Sequence, residues 1–190
     1  MAKGRGRNIQ RKSQQRRELA SMLIVTEGTV TEVQYIEELA QHLRSTGVLV
    51  RGARTKGMGK DPLKVVDEAI DQRENFDETW AGVDVDAHAK LPAAIVAAKR
   101  HSLPMVISNP CFEMWLLWHY SECTAYQSKE DLDRKLTKHG HTEKQIPGAF
   151  PYAQVTDAER RAAATHPGQH AMGENPSSSM GDLIAAMRRP

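Results

Sequence analysis

Four short apolar segments alternate with segments of helical periodicity, in which apolar residues recur three and four positions apart. The predicted strands are SMLIVTEG (21–28), which turns at Gly28, VLVRGA (48–53), TWAGVDVD (79–86) and PMVIS (104–108). Helices are predicted at 29–47, 62–74, 91–102, 109–122, 129–140, 156–166 and 177–189. This alternation predicts an α/β fold, with a mainly parallel sheet of about four strands flanked by helices and with extra C-terminal helices.

The composition fits one globular domain, because 39% of the 190 residues are hydrophobic. We expect residues 21–190 to form this domain and residues 1–20 to form a basic, flexible arm. No apolar run approaches the roughly 18 residues of a membrane span. The N-terminus lacks the apolar centre of a secretory signal, and two cysteines do not make a disulfide framework. These features predict a cytoplasmic protein that has no membrane partner.

The first 17 residues carry seven lysines and arginines and no acidic residue. Clustered cations displace counterions from phosphates whatever the base sequence is. The arm is therefore either a nucleic-acid contact or a solubilising tail, and the sequence leaves both interpretations open.

Acidic residues stand at the ends of two predicted strands. Glu27 follows the first strand, and Asp84 and Asp86 close the third, two positions apart and so on one face. The carboxyl ends of parallel strands lie along one edge of a sheet, so the three side chains can converge there. Carboxylates about 4 Å apart repel by several kcal/mol at an effective dielectric near 20. Mg²⁺ or Mn²⁺ would remove that cost; alternatively, each acid caps a helix or faces solvent.

The pattern LIVTEG, followed after a later strand by Asp84-Val85-Asp86, resembles the Toprim domain of topoisomerases, primases and OLD-type nucleases. Longer segments, LIVTEGTVTEVQYIEEL, VDVDAH, SNPCFEMWLLWHY and NPSSSMGDLI, are similar to the RloB-like family. This resemblance runs from about residue 21 to the end of the sequence. It implies a Toprim-like (Rossmann-like) fold in a bacterial protein encoded near restriction–modification genes or an ATPase partner. It also implies a role in defence against phage.

The resemblance also implies roles for individual residues. Glu27 matches the first-motif glutamate, which serves in acid–base chemistry or metal binding. Asp84 and Asp86 match the aspartate pair that holds the metal, and Glu32 matches a second acid that OLD-like nucleases use for another metal. Val85 departs from the basic residue common between the two aspartates in this family, which removes a phosphate contact and leaves the metal ligands in place.

Five further residues are candidates for contact with phosphate or substrate. Lys56 and Lys60 lie in a basic, glycine-rich segment, RTKGMGKDP, that lacks the spacing of a P-loop. Asn109 and Glu113 stand at the start of a predicted helix, whose N-terminus favours anions. His88 follows Asp86 by two positions and is a candidate proton relay. The alternatives are a solvated loop, simple helix capping and a surface histidine.

Taken together, these features predict a Mg²⁺- or Mn²⁺-dependent nuclease that hydrolyses phosphodiester bonds in DNA or RNA. No C-x₂-C pair supports zinc. The alternatives are a non-catalytic nucleic-acid-binding subunit and an adaptor in an ATPase-containing defence complex. Neither alternative requires clustered carboxylates. The sequence leaves a homo-oligomer open.

Overall fold

The computed structural model describes residues 20–85, 89–142 and 145–189. The strands in this part of the chain are β1 (Ser21–Thr26), β2 (Gly52–Gly57), β3 (Glu78–Asp84), β4 (Met105–Asn109) and β5 (Ser177–Ser178). The helices there are α1 (Thr31–Ser45), α2 (Pro62–Gln72), α3 (Leu91–Arg100), α4 (Glu113–Leu117), α5 (Lys129–Thr137), α6 (Val155–Ala163) and α7 (Met180–Met187). Short 3-10 turns cover Arg73–Asn75 and Tyr152–Gln154.

The strands form one sheet in the order β2-β1-β3-β4-β5. The first four strands are parallel, and β5 runs antiparallel to β4. Thr26 at the end of β1 pairs with Gly57 on one side and with Gly82 on the other. The prediction of an α/β fold with a mainly parallel sheet and extra C-terminal helices is confirmed, and the strand ends meet along one edge.

Helices cover both faces of the sheet, which explains why β1 is apolar throughout. Met22 and Ile24 point into a core that includes residues of α1, α4, α5, α6 and α7. Leu23 and Val25 point into a second core that includes residues of α2 and α3. Two buried layers on one sheet thus account for the continuous apolar run that predicts β1.

The second strand lies further along the chain than predicted. β2 begins at Gly52, so the segment RTKG (54–57), which the sequence predicts as a loop, is strand. β2 is an edge strand whose alternate residues are exposed, and such a strand can pair through its backbone without an apolar sequence. The apolar residues that suggested an earlier strand, Val48 and Val50, pack instead into the core beside α1.

The predicted helix from Asn109 to residue 122 is also shorter in the structure, and it begins later. α4 spans only Glu113–Leu117, and Asn109 is the last residue of β4, where it pairs with Ser177 of β5. The Asn109 side-chain amide donates a hydrogen bond to the Gly173 carbonyl at 2.7 Å. Asn109 is therefore not a helix cap, and the dipole argument for an anion at this position fails.

The last predicted helix begins later than expected. Ser177 and Ser178, which the sequence assigns to that helix, form β5, and α7 begins at Met180. Within the described ranges, no helix has both the length and the apolar character that crossing a membrane requires.

Gly57 provides a test of how closely β2 approaches the turn after β1. A Cβ at residue 57 would lie 2.5 Å from Thr29 Cα and 2.6 Å from the Gly28 carbonyl oxygen. Because both are backbone atoms, we expect Gly57→Ala to destabilise the fold by about 1–3 kcal/mol, or roughly 2–12 °C in melting temperature. Gly148→Ala is the control, since a Cβ there meets nothing within 4 Å. Equal melting curves for the two variants in calorimetry would contradict the expectation.

Candidate functional site

A cleft of about 830 Å³ opens at the carboxyl edge of the sheet. Its first wall comprises the ends of β1 and β3, the turn into α1, the segment before α2 and the first residue of α4. Residues of the first wall are Glu27, Gly28, Thr29, Val30, Thr31, Glu32, Gly59, Lys60, Asp61, Asp84 and Glu113. The second wall comprises α5 and the residues that follow it, with Leu116 of α4 beside them. Residues of the second wall are Lys129, Asp133, Leu136, Thr137, His141, Thr142 and Gln145.

Backbone hydrogen bonds on both sides hold Glu27 beyond the end of β1. Its amide donates to the Gly82 carbonyl at 3.0 Å, and its carbonyl accepts from the Gly59 amide at 2.9 Å. The side-chain oxygen Oε2 lies 3.5 Å from the backbone amide nitrogen of Asp84. The sheet therefore places the predicted Glu27 and Asp84 side by side in the cleft.

Glu32 joins this pair from the first turn of α1. Its Oε1 accepts a hydrogen bond from the Gly28 amide at 2.9 Å, which folds the carboxylate back over the turn. A Cβ at residue 28 would lie 1.8 Å from Glu32 Oε2. Residue 28 thus has to be glycine for the Glu32 carboxylate to occupy this position.

The position of Glu32 is electrostatically unfavourable. Burial raises the pKa of its carboxyl group above 4.5, and the charges of Glu113 and Glu27 raise it further. Hydrogen bonds from the backbone amides of Glu32 and Gly28 oppose this shift without cancelling it. A buried carboxylate among like charges is a position where a cation would bind favourably.

The oxygen ligands of the first wall suit Mg²⁺ or Mn²⁺ in kind. In the described residues, however, no three histidine, cysteine, aspartate or glutamate side chains are grouped closely enough to hold an ion. Asp86 and His88 lie outside the described residues. The metal site of Glu27, Asp84, Asp86 and Glu32 therefore stays a prediction.

The two predicted lysines lie in different surroundings. Lys60 lines the cleft beside Asp61. Lys56 lies in β2, where its Nζ pairs with the carboxylate of Glu68 on α2 at 2.7 Å, and it does not line the cleft. Asp61 caps α2 by accepting from the Lys64 amide, and it also accepts from Lys90 Nζ at 3.0 Å. The loop therefore brings one of its two predicted lysines to the site.

A side-chain amide on α1 bonds to the chain directly after the second wall. Gln34 Nε2 donates to the Ile146 carbonyl at 3.3 Å, and Gln34 Oε1 accepts from the Ile146 amide at 3.2 Å. One turn further along α1, Glu38 accepts from the Tyr152 hydroxyl at 2.8 Å. These contacts hold the chain after the second wall at a fixed place relative to Glu32.

His141 is a residue of the second wall that the sequence did not identify. Its side chain is 7% exposed, and its Nε2 lies 3.0 Å from the Tyr120 hydroxyl. Burial lowers its pKa to about 4, with a smaller effect from His139. The imidazole is therefore neutral at pH 7 and lines the cleft without adding a charge. A capping box from Ser128 to Asp131 marks the start of α5 in the sequence, but no pattern there indicates that α5 faces Glu27.

Glu32→Gln tests the electrostatic cost of this carboxylate. A raised pKa in the folded state means that the ionised form destabilises the fold above the unfolded-state value near 4.5. We expect Glu32→Gln to raise the melting temperature in metal-free buffer at pH 7, and this gain to disappear as the pH falls towards 4.5. Thermal melts across this pH range measure the effect. Glu37→Gln, an exposed change on the same helix, is the control. A lower melting temperature for Glu32→Gln at pH 7 would show that the ionised Glu32 does not destabilise the fold.

Comparison with known families identifies one match. The family model described as RloB-like protein matches residues 22–187. No curated protein and no solved structure gives a significant match to the chain.

Proposed function

The chain belongs to the RloB-like family, and we propose that it is a metal-dependent nuclease that hydrolyses phosphodiester bonds at the acidic cleft. The observation that carries this proposal is the convergence of Glu27, Glu32, Asp84 and Glu113 on one cleft from separate parts of the chain. We place the activity in the cytoplasm, in bacterial defence against phage.

The charge of the cleft supports a role for metal. Its described lining contains six carboxylates (Glu27, Glu32, Asp61, Asp84, Glu113 and Asp133) and two lysines (Lys60 and Lys129). A phosphate brought into such a cleft would be repelled by a formal excess of negative charge. Mg²⁺ or Mn²⁺ bound there would polarise the scissile phosphate and stabilise charge on the departing oxygen.

The residues of the first wall would bind the ion, activate the water molecule and bind the substrate phosphate. Asp84, together with Asp86 and with Glu32 as a further ligand, would hold the ion. Glu27 would act as general base towards a water molecule or as a further ligand. Lys60, at the rim, would contact a substrate phosphate. Water as nucleophile fits the described lining, which includes no tyrosine that could attack the phosphate. Its oxygen bonds to phosphorus as the phosphorus–oxygen bond to the leaving strand breaks.

Two parts of the proposal concern partners. The lysines and arginines of residues 1–17, which lie outside the described residues, would bind nucleic acid through its phosphates. An ATPase encoded nearby would regulate cleavage, and a homo-oligomer is compatible with this arrangement. A non-catalytic nucleic-acid-binding or adaptor subunit remains the alternative, and it predicts retention of nucleic acid without turnover.

A cleavage assay tests the nuclease. The full chain is incubated with plasmid DNA, single-stranded DNA and a tRNA pool, each with Mg²⁺, Mn²⁺ or EDTA. We expect cleavage that requires metal and that falls by about 10²–10⁴-fold in Glu27→Gln, the size of a lost general acid–base group. Asp84→Asn should cause a loss that added Mn²⁺ partly restores. Asp67→Asn, an exposed change on α2 outside the cleft, is the matched control.

Cleavage that EDTA leaves intact, or that survives Asp84→Asn at the wild-type rate, would contradict the proposal. Binding of a substrate without cleavage, both alone and with the neighbouring ATPase added, would favour the non-catalytic alternative.

A further inference from the structure

The edge of the sheet opposite the cleft, which we call the amino edge, is where the four parallel strands begin. α1, α2 and α3 each connect two of these strands, so the C-terminal ends of these helices lie at the amino edge. Arg73 after α2 donates to the His101 carbonyl after α3 at 2.7 Å. The Arg51 amide before β2 donates to the Met187 carbonyl of α7 at 3.0 Å. The ends of four helices therefore lie at this edge.

Exposed cations at these helix ends form no ion pair with any described residue. They are Arg44, Arg73, Lys99, Arg100 and Arg189. Lys64 and Lys90, by comparison, both pair with Asp61 near the opposite edge. The amino edge therefore presents positive charge that contacts within the described fold do not neutralise.

The acidic residues near the amino edge are partly engaged in internal contacts. Asp77 accepts two hydrogen bonds from the first residue of β1, each of 2.7 Å. Glu78 forms an ion pair with Arg51. Asp71 and Glu74 are exposed, so five unpaired cations stand against these two carboxylates. The described lining of the cleft has the opposite balance, with six carboxylates and two lysines.

The seven lysines and arginines of residues 1–17 are joined to the fold at this same edge. Ala20 is the first described residue, and its carbonyl accepts a hydrogen bond from the first amide of β2 at 3.1 Å. The preceding residue, Arg51, donates from Nε to the Arg189 carbonyl at 3.0 Å, and its own carbonyl accepts from Arg44 Nη2 at 3.2 Å. The chain therefore enters β1 beside two of the unpaired cations.

We propose that the amino edge and the cations of residues 1–17 form one surface that binds the phosphate backbone of nucleic acid, separate from the cleft. The inference rests on the proposed function for the identity of the partner and adds the place where that partner is held. Binding there needs no metal, because the protein supplies the positive charge, and it does not depend on base sequence. β1 has six residues, so the two edges are roughly 20 Å apart. Nucleic acid on the amino edge therefore leaves the cleft open.

Cations at helix ends also stabilise those helices, so the experiment has to separate this effect from binding. The amino-edge variant combines Arg100→Gln in the last turn of α3 with Arg189→Gln after α7. The control variant combines Arg134→Gln and Lys138→Gln, which removes the same charge from the end of α5 beside the cleft. All four side chains are exposed. The two variants thus match in charge and in helix position and differ in the edge that they change.

Binding of the full chain is measured by fluorescence anisotropy in EDTA, which excludes metal from the cleft and prevents metal-dependent cleavage. The probes are labelled duplex DNA, single-stranded DNA and a tRNA pool, each titrated between about 50 and 200 mM salt. Vesicles of phosphatidylcholine and phosphatidylglycerol, tested by co-sedimentation, represent an anionic membrane. Melting curves verify that both variants fold. If the amino-edge variant does not fold, Arg189→Gln alone is compared with Lys138→Gln alone.

We expect the unaltered chain to bind nucleic acid in EDTA with an affinity that falls steeply as salt is added. The amino-edge variant should bind about ten-fold more weakly in 100 mM salt, and its plot of log affinity against log salt should be less steep by about 1–2. The control variant should differ from the unaltered chain by less than about two-fold, because its cations lie at the other edge.

Equal salt slopes for the amino-edge and control variants, or no binding in EDTA, would overturn the inference. Vesicle binding as tight as that of nucleic acid would also overturn it, in favour of a membrane surface. The proposed nuclease fails separately. Metal-free binding that the amino-edge variant weakens, without cleavage in Mg²⁺ or Mn²⁺, would keep the surface and reject the nuclease. Metal-dependent cleavage together with unchanged salt slopes would keep the nuclease and reject the surface.

Discussion

Two backbone hydrogen bonds beyond the end of β1 fix the geometry on which the cleft depends. β1 lies between β2 and β3, so the peptide groups of Glu27 bond to β3 on one side and to Gly59, just beyond β2, on the other. The residue that follows a central strand of a parallel sheet is held almost as firmly as the strand itself, while its side chain is already at the edge. The backbone of Glu27 therefore has a well-defined position, and the neighbouring end of β3 brings Asp84 to the same place, where its amide lies 3.5 Å from Glu27 Oε2.

Repulsion between the carboxylates of the cleft destabilises the fold, and the packing elsewhere in the protein has to offset it. Carboxylates come together from β1, α1, β3 and α4, and one of them, Glu32, is partly buried among like charges. Sites that retain such unfavourable arrangements exchange stability for function, because a residue without a function there would be replaced by a neutral one. On the opposite wall, the neutral imidazole of His141 adds no positive charge to balance the carboxylates. The Mg²⁺ or Mn²⁺ proposed for the first wall would supply the missing positive charge.

The sequence allowed prediction of the features that depend on local pattern. β1, β3, β4 and the helices between them follow from apolar runs and helical periodicity, and the parallel order of these strands then places Glu27 and Asp84 at one edge. The predictions went wrong where the chain is paired by distant residues. The edge strand β2 has no apolar pattern, and β5 consists of two serines that become strand only because β4 lies beside them.

The second wall escaped prediction for a related physical reason. Its residues come from a segment about a hundred positions after α1, and only contacts such as that between Gln34 and Ile146 bring it opposite the carboxylates. The capping box and the apolar periodicity predict α5 from the sequence. The position of α5 relative to the sheet depends on side chains that are distant in the chain. Residues that are close in sequence can also be separated by the fold. Lys56 is only four positions from Lys60, but its side chain pairs with Glu68 of α2 and not with the cleft.

The contacts of α1 have a consequence for how the length of this chain can vary. Glu32 reaches the first wall, whereas Gln34 and Glu38 hold the chain after the second wall, and all three project from one helix. Each residue of an α-helix advances the direction of the side chains by about 100°. An insertion or deletion of one residue between Glu32 and Gln34 would rotate Gln34 and Glu38 away from Ile146 and Tyr152. The length of this part of α1 therefore fixes the separation of the two walls. The number of residues between Glu32 and Gln34 is therefore as much a part of the site as the side chains themselves.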